Sequence, residues 1–157
     1  PKDTWTNTER SGEFVVNVTA GAMAPHIETV AMEFPPEVDE AGVVGWSLVP
    51  SVKVAPPSIA ESPAHLECRV HEVVALGAQS EVFSAVNVVF AEVVCVTLSE
   101  AICGEDLRVD ATELETIGRL GFPWFNRSSE PTMFELPRVP YAEWSSSGAD
   151  RSPETGG

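Results

Sequence analysis

Basic residues are scarce in this chain: nine Lys and Arg stand against 24 Asp and Glu in 157 residues, a formal net charge of −15. A field of that sign repels polyanions, so a nucleic-acid partner is not expected. An anionic small ligand stays open, because a site needs only a local cation and aimed backbone donors. Cysteine is sparse too. Cys68, Cys95 and Cys103 form an odd set without a CxxC pair, which points to reduced, packed thiols and away from a disulfide framework or a metal site. No stretch offers the ~18 uncharged apolar residues that a membrane helix needs. The charged start also lacks the apolar region of a signal peptide, and a cytoplasmic protein is expected. GxSxG, HExxH, P-loop and GxGxxG motifs are all missing, so no catalytic acid, base or metal is legible from a motif.

What is present is an ordinary apolar share of 43%, enough for one domain with a core. "TWTNTERS", residues 4–11, suits a short helix, with Thr6 and Glu9 at capping-box spacing and Gly12 as its stop. "EFVVNV", residues 13–18, reads as a buried strand, and residues 20–32 as a helix that Pro25 starts or breaks. Residues 33–46 read as an acidic, Pro-rich surface excursion in which the carboxylates of "EVDE" form a solvated charge run. Pro35-Pro36 and Pro56-Pro57 flank a short extended piece.

Two long strands follow. In "HLECRVHEVVAL", residues 65–76, Leu66, Cys68 and Val70 face one way and His65, Glu67, Arg69 and His71 the other. The two histidines are ~20 Å apart along a strand, too far to share an ion. That polar face therefore reads as a solvated or interface face carrying a cross-strand salt bridge. "NVVFAEVVCVTL", residues 87–98, is apolar on both sides, as in a central barrel strand or one sealed by a subunit interface. Residues 77–84 link the pair as a hairpin, and residues 110–117 form a short helix with Asp110 as N-cap. From residue 145 the chain is a polar tail that cannot order itself. The fold class is mainly β with short helices, antiparallel, as a barrel or sandwich.

The start holds the best candidate for ligand chemistry. Lys2 supplies a point charge, Asp3 or Thr4 can occupy the helix cap, and Thr4 brings a hydroxyl to an end with unpaired N–H groups and partial positive charge. By itself this is also what a plain cap beside a solvated lysine looks like.

"KDTWTNTERSGEFVVNV" resembles the KDT-x-x-N-x-x-x-(S/T)GEFVVN segment of the flavin reductase-like, FMN-binding split-barrel family. "FPPEVDE", "VPSVKVAPPSIAESPAHLEC", "AEVVCV", "RVD", "GRLG" and "FELPRVP" agree with it in order, from Lys2 to about Pro140. The resemblance implies an antiparallel split β-barrel over residues 1–144, with residues 145–157 outside it. It implies an FMN phosphate near Lys2, Asp3 and Thr4, a homodimer with FMN near the subunit interface, and NAD(P)H as hydride donor to the flavin. The front strands resembling "RPIGWxST" and "APxSFFN" are absent from this sequence, so an N-terminally incomplete barrel is expected. Three departures stand out: "DEAGVVGWSL" for "DEFxLAGL", Ala91 for the glycine of "GEV", and "RLGFPWF" for "RLGG" with its tyrosine. Trp124 and Phe125 then either border the ring system or are buried as core. The functional expectation is a flavin reductase-type oxidoreductase. The alternative is a non-catalytic flavin- or ligand-binding protein whose barrel and site are completed by another segment or chain.

Overall fold

Runs of β-branched residues and one glycine turn set up the first layer. In the computed structural model, which describes residues 3–77, 86–136 and 138–146, α1 (Asp3–Ser11) leads into β1 (Glu13–Asn17). Gly12, at φ +68°, makes the turn between them and closes the helix with its N–H on the Thr8 carbonyl at 2.8 Å. Only a residue without Cβ takes that backbone cheaply.

Residues 20–32 do not form one α-helix. Gly21–His26 is a 3₁₀ turn with Pro25 inside it, and α2 is a single turn, Ile27–Val30. Proline lacks the N–H that an α-helical ladder requires, which is why the helix begins only after it. The acidic excursion contains α3 (Glu40–Val43), whose N-cap is Asp39: its side chain accepts from Ala41 N at 3.1 Å. One carboxylate of "EVDE" is thus a cap and not merely part of a charged run.

β2 (Leu48–Val49) and β3 (Ser58–Ile59) form a small hairpin ladder, and β4 (Ala64–Leu76) and β5 (Val86–Leu98) are the long strands. The sheet order is β1-β4-β5, antiparallel throughout, with Glu13 opposite Arg69 and Ala64 opposite Leu98. Register shifts at Glu67/Cys68 and Val70/Glu72 bend the β4–β5 pair, as bulges do in barrels. The predicted hairpin link falls almost wholly outside the described residues.

Among the described residues β5 is an edge strand, so of the two readings of its apolar faces the central strand does not hold and the strand sealed by a subunit interface is left. β5 leaves Phe90, Val93, Val96 and Leu98 exposed. A 3₁₀ turn (Glu100–Ile102) leads to α4 (Ala111–Leu114), capped as expected by Asp110, whose side chain accepts from Thr112 N and Glu113 N. This helix is shorter than predicted. Glu115 takes a left-handed conformation at φ +43° and Ile117 already belongs to β6 (Ile117–Gly121), which pairs with β7 (Trp124–Arg127). α5 (Tyr141–Ser146) contains the first two residues of the expected tail, and the tail beyond it lies outside the described residues.

The buried apolar core is small, formed by Met23, Val54, Ala64, Cys68 and Ile102 among the described residues. All three cysteines are free, Cys68 buried and Cys95 and Cys103 half-buried. Burial pushes the Cys68 thiol above its ordinary value, as expected of a packing residue.

Candidate functional site

The residues expected at the site stand on two separate parts of the fold. Asp3 and Thr4 both lie inside the first turn of α1, so neither is the residue that precedes it. Thr6 and Glu9 also lie within the helix, which removes the capping-box reading. Lys2 lies outside the described residues. A nine-residue helix still leaves its first N–H groups without intrahelical acceptors. Thr4 places a hydroxyl in that turn. The helix rests on the sheet around a cavity of about 320 Å³ lined by Trp5, Thr8, Val70, Val73 and Asn87 among others.

Trp124 and Phe125 belong to the other part, the β6–β7 hairpin. Successive residues of a strand point to opposite faces, and the two aromatic rings part accordingly. Trp124 is 71% exposed, so it is not core. Phe125 is half-buried and lines a cavity of about 350 Å³ with Ala24, Ile27, Ile117, Pro123 and Arg127. The Arg119 guanidinium lies 5.4 Å from the Phe125 ring centroid and 3.9 Å from a Glu28 carboxylate oxygen. Arg127 reaches across to donate to the Gly21 carbonyl at 3.3 Å and sits 3.8 Å from Glu115. The cavity is thus mixed in character, with Phe125 and the aliphatic Ala24, Ile27 and Ile117 beside the polar Glu28, Asn126 and Arg127. None of its lining residues belongs to α1.

Sequence reasoning missed a third feature on the β1–β4 face. The alternation of β4 placed Glu67 on a solvated or interface face, yet Glu67 is 1% exposed and is the largest fully buried side chain among the described residues. The loop between β2 and β3 covers it. One Glu67 oxygen accepts from Val52 N at 2.8 Å and the other from Lys53 N at 2.6 Å. The N–H donation from Val52, supported by those of Lys53 and Val54 and by the nearby His65, holds this carboxyl below its ordinary value against the opposing effect of burial. His65, also on this face, has Nε2 2.8 Å from the Ile59 carbonyl.

The expected cross-strand salt bridge is there as well. Arg69 Nε lies 3.1 Å from Glu13 Oε1, while Arg69 Nη2 donates to the Lys53 carbonyl at 2.7 Å. Glu13 is held below its ordinary value first by the Ala55 N–H and then by Arg69. A signal for the covering loop existed in the sequence. Residues 50–57 have no strand or helix period of their own, and their backbone groups still need partners.

An antiparallel sheet bent by register shifts, with short helices and two small two-stranded ladders, is the architecture that similar solved structures share, a split barrel. The chain belongs to the family described as "Flavin reductase like domain", whose model matches residues 1–108. An uncharacterized protein of Deinococcus radiodurans is 34% identical over 146 residues, which cover 92% of this chain and 61% of that protein. Nitrilotriacetate monooxygenase component B from Bacillus cereus has a similar structure, at TM-score 0.76 and 25% identity over 87% of this chain and 65% of that one. The 2-nitrobenzoate 2-nitroreductase of Pseudomonas fluorescens gives TM-score 0.71 and 27% identity over 89% of this chain and 68% of that one. The chain thus spans somewhat under two thirds of the first of these relatives.

Proposed function

We propose that this chain forms part of an FMN-binding, NAD(P)H-dependent oxidoreductase of the flavin reductase type. The observation that carries the reading is the family match over residues 1–108, which begins with the Lys-Asp-Thr helix start. The residue types at that start suit a phosphate: the first N–H groups of a helix and the Thr4 hydroxyl, with Lys2 as counter-charge. Asp3, itself an anion, complements the helix start, so Lys2 and Thr4 are the side chains assigned to the phosphate. Phe125 offers an aromatic wall to a planar ring in a cavity to which α1 contributes no residue, and Trp124, on the outer face of β7, is available to a ligand or partner from outside.

The flavin, when bound, supplies the hydride-accepting ring, which is why no side-chain acid or base is required for the transfer. The protein contributes anchoring, ring contact and exclusion of water. A homodimer accompanies this reading, its contact surface being the exposed apolar side chains of β5.

The test is a titration of the purified chain with FMN, followed by visible absorbance and flavin fluorescence, then by NADH and NADPH oxidation. Saturable flavin binding that Lys2→Ala and Thr4→Ala weaken supports the phosphate site, and turnover on top of it supports the enzyme. The exposed apolar strand β5 also favours a second reading, a flavin- or ligand-binding protein completed by another segment or chain. Binding without turnover selects that reading. A chain that takes up no flavin refutes the FMN assignment for this polypeptide.

A further inference from the structure

Residues 50–59 cross the β1–β4 face and are held there by side chains of the sheet. Val52 N and Lys53 N donate to Glu67, Ala55 N donates to Glu13 at 2.8 Å, and Ile59 N donates to Asn17 Oδ1 at 2.9 Å. In the other direction, Arg69 donates to the Lys53 carbonyl. The segment also has an internal tie, in which Ser51 Oγ donates to the Pro56 carbonyl and lies 3.2 Å from Ser58 Oγ. Beneath it is a cavity of about 250 Å³, with Val49, Pro50, Val52 and Ser58 on one side and His65, Glu67, Thr97 and Ser99 on the other.

The sheet below has its own support. β4 is paired with β5 along nearly all of its length and with β1 over His65 to Arg69. The strap's Ser58–Ile59 end is also paired with β2, but its Val52, Lys53 and Ala55 N–H groups find their acceptors on side chains of the sheet, whereas the strand pairing of the sheet does not use the strap. At the centre of the contact an ionised carboxylate offers an acceptor on each oxygen to consecutive N–H groups. A neutral acid or amide at that position presents a donor where an acceptor is needed. Charge-assisted bonds of this kind are about twice as strong as neutral ones.

We propose that residues 50–59 form a releasable strap latched by the ionised Glu67 carboxylate, and that neutralising this carboxylate lifts the strap and opens the cavity while the β1-β4-β5 sheet stays folded. The charged and titratable groups around the latch are His65 and Arg69 on β4, Glu13 on β1, Cys95 opposite Glu67 in register on β5, and Lys53 on the strap itself. Arg69 is engaged with Glu13 and the Lys53 carbonyl, so it reinforces the second anchor. Both anchoring carboxylates are held below the ordinary 4.5, so each anchor is lost only in acid. This inference does not rest on the flavin reading.

Hydrogen exchange on the full chain tests it, read at the Val52, Lys53 and Ala55 amides against the amides of β4. Glu67→Gln at neutral pH is expected to lower protection at Val52 and Lys53 by about tenfold or more, as loss of charge-assisted bonds implies. Protection in β4 is expected to stay at the wild-type level, and trypsin is expected to cleave faster after Lys53. Wild-type protein is expected to show the same local loss as the pH is lowered through the carboxylate range. Equal loss in strap and β4, or no loss in the strap, overturns the proposal. If Glu67→Gln does not fold, Glu13→Gln and the wild-type acid series decide. Glu13→Gln must lower protection at Ala55 alone, acid must release the strap before the sheet, and failure of either result overturns the latch.

Discussion

Arg127 and Gly21 meet closely although 106 residues separate them: the guanidinium of Arg127 donates to the Gly21 carbonyl at 3.3 Å across the bare Cα. A Cβ on Gly21 would lie 2.5 Å from Glu115 Oε2 and 3.1 Å from Arg127 Cζ. Gly21→Ala is expected to push both side chains outward and loosen the β6–β7 hairpin from the 3₁₀ turn. The groups displaced are flexible side-chain ends, so the cost is put at the low end for overpacking, about 1 kcal/mol. Denaturant midpoints of the two proteins measure it, and an unchanged midpoint would show that the close approach carries no stability.

Acid stability follows from three carboxylates. Glu13, Glu61 and Glu67 are each held below the ordinary 4.5, chiefly by the N–H groups of Ala55, Ser47 and Val52 respectively. A carboxyl whose folded value lies below its unfolded value contributes stability that is fully present above the unfolded value. That stability is lost as pH falls through the folded value. The melting temperature is therefore expected to be level near neutrality and to fall below about pH 4.5. Glu67→Gln should flatten the fall, and a variant curve parallel to wild type would contradict the assignment.

The two faces of β7 predict different effects on flavin binding. Phe125→Ala removes a ring from the cavity wall and is expected to raise the flavin Kd about fivefold to tenfold, as the loss of an aromatic contact implies. Trp124→Ala, on the exposed side, is expected to change it little. Fluorescence titration of the two variants separates them, and the reverse order would place the ring on the outer face.

Met23 anchors the small core at 3% exposure. Met23→Ala is expected to cost about 2–5 kcal/mol, the range for large-to-small changes in a packed interior. The helix-cap change Asp110→Ala should cost about 1 kcal/mol. Chemical denaturation of both variants checks the ranking.

The apolar side of β5 gives the last prediction. Val93 is 46% exposed on one face of the strand and Phe90 52% on the other, and a charge at Val93 opposes burial of its face against a second copy. Val93→Lys is expected to shift the sedimenting species from dimer toward monomer. A wild-type chain that sediments as a monomer would remove the dimer proposal.

Local rules already fixed the helix before Gly12, the strand after it, the Asp110 cap and the two long strands, because each depends on neighbours a few residues away. A cross-strand salt bridge on the face of Arg69 was expected from alternation, but that its partner is Glu13 was decided by the β1–β4 register. Nor did local pattern place Glu67 in the interior. Alternation correctly put it with His65 and Arg69, but whether that face meets water depends on a loop formed by other residues, and only the tertiary fold laid residues 50–59 over it. The place of β5 in the sheet was likewise beyond local reading, because an apolar strand has the same sequence at an edge as at a centre. Composition and short-range pattern determine elements and faces. What covers each face is decided by contacts between residues distant in the chain, such as Asn17 with Ile59 and Gly21 with Arg127.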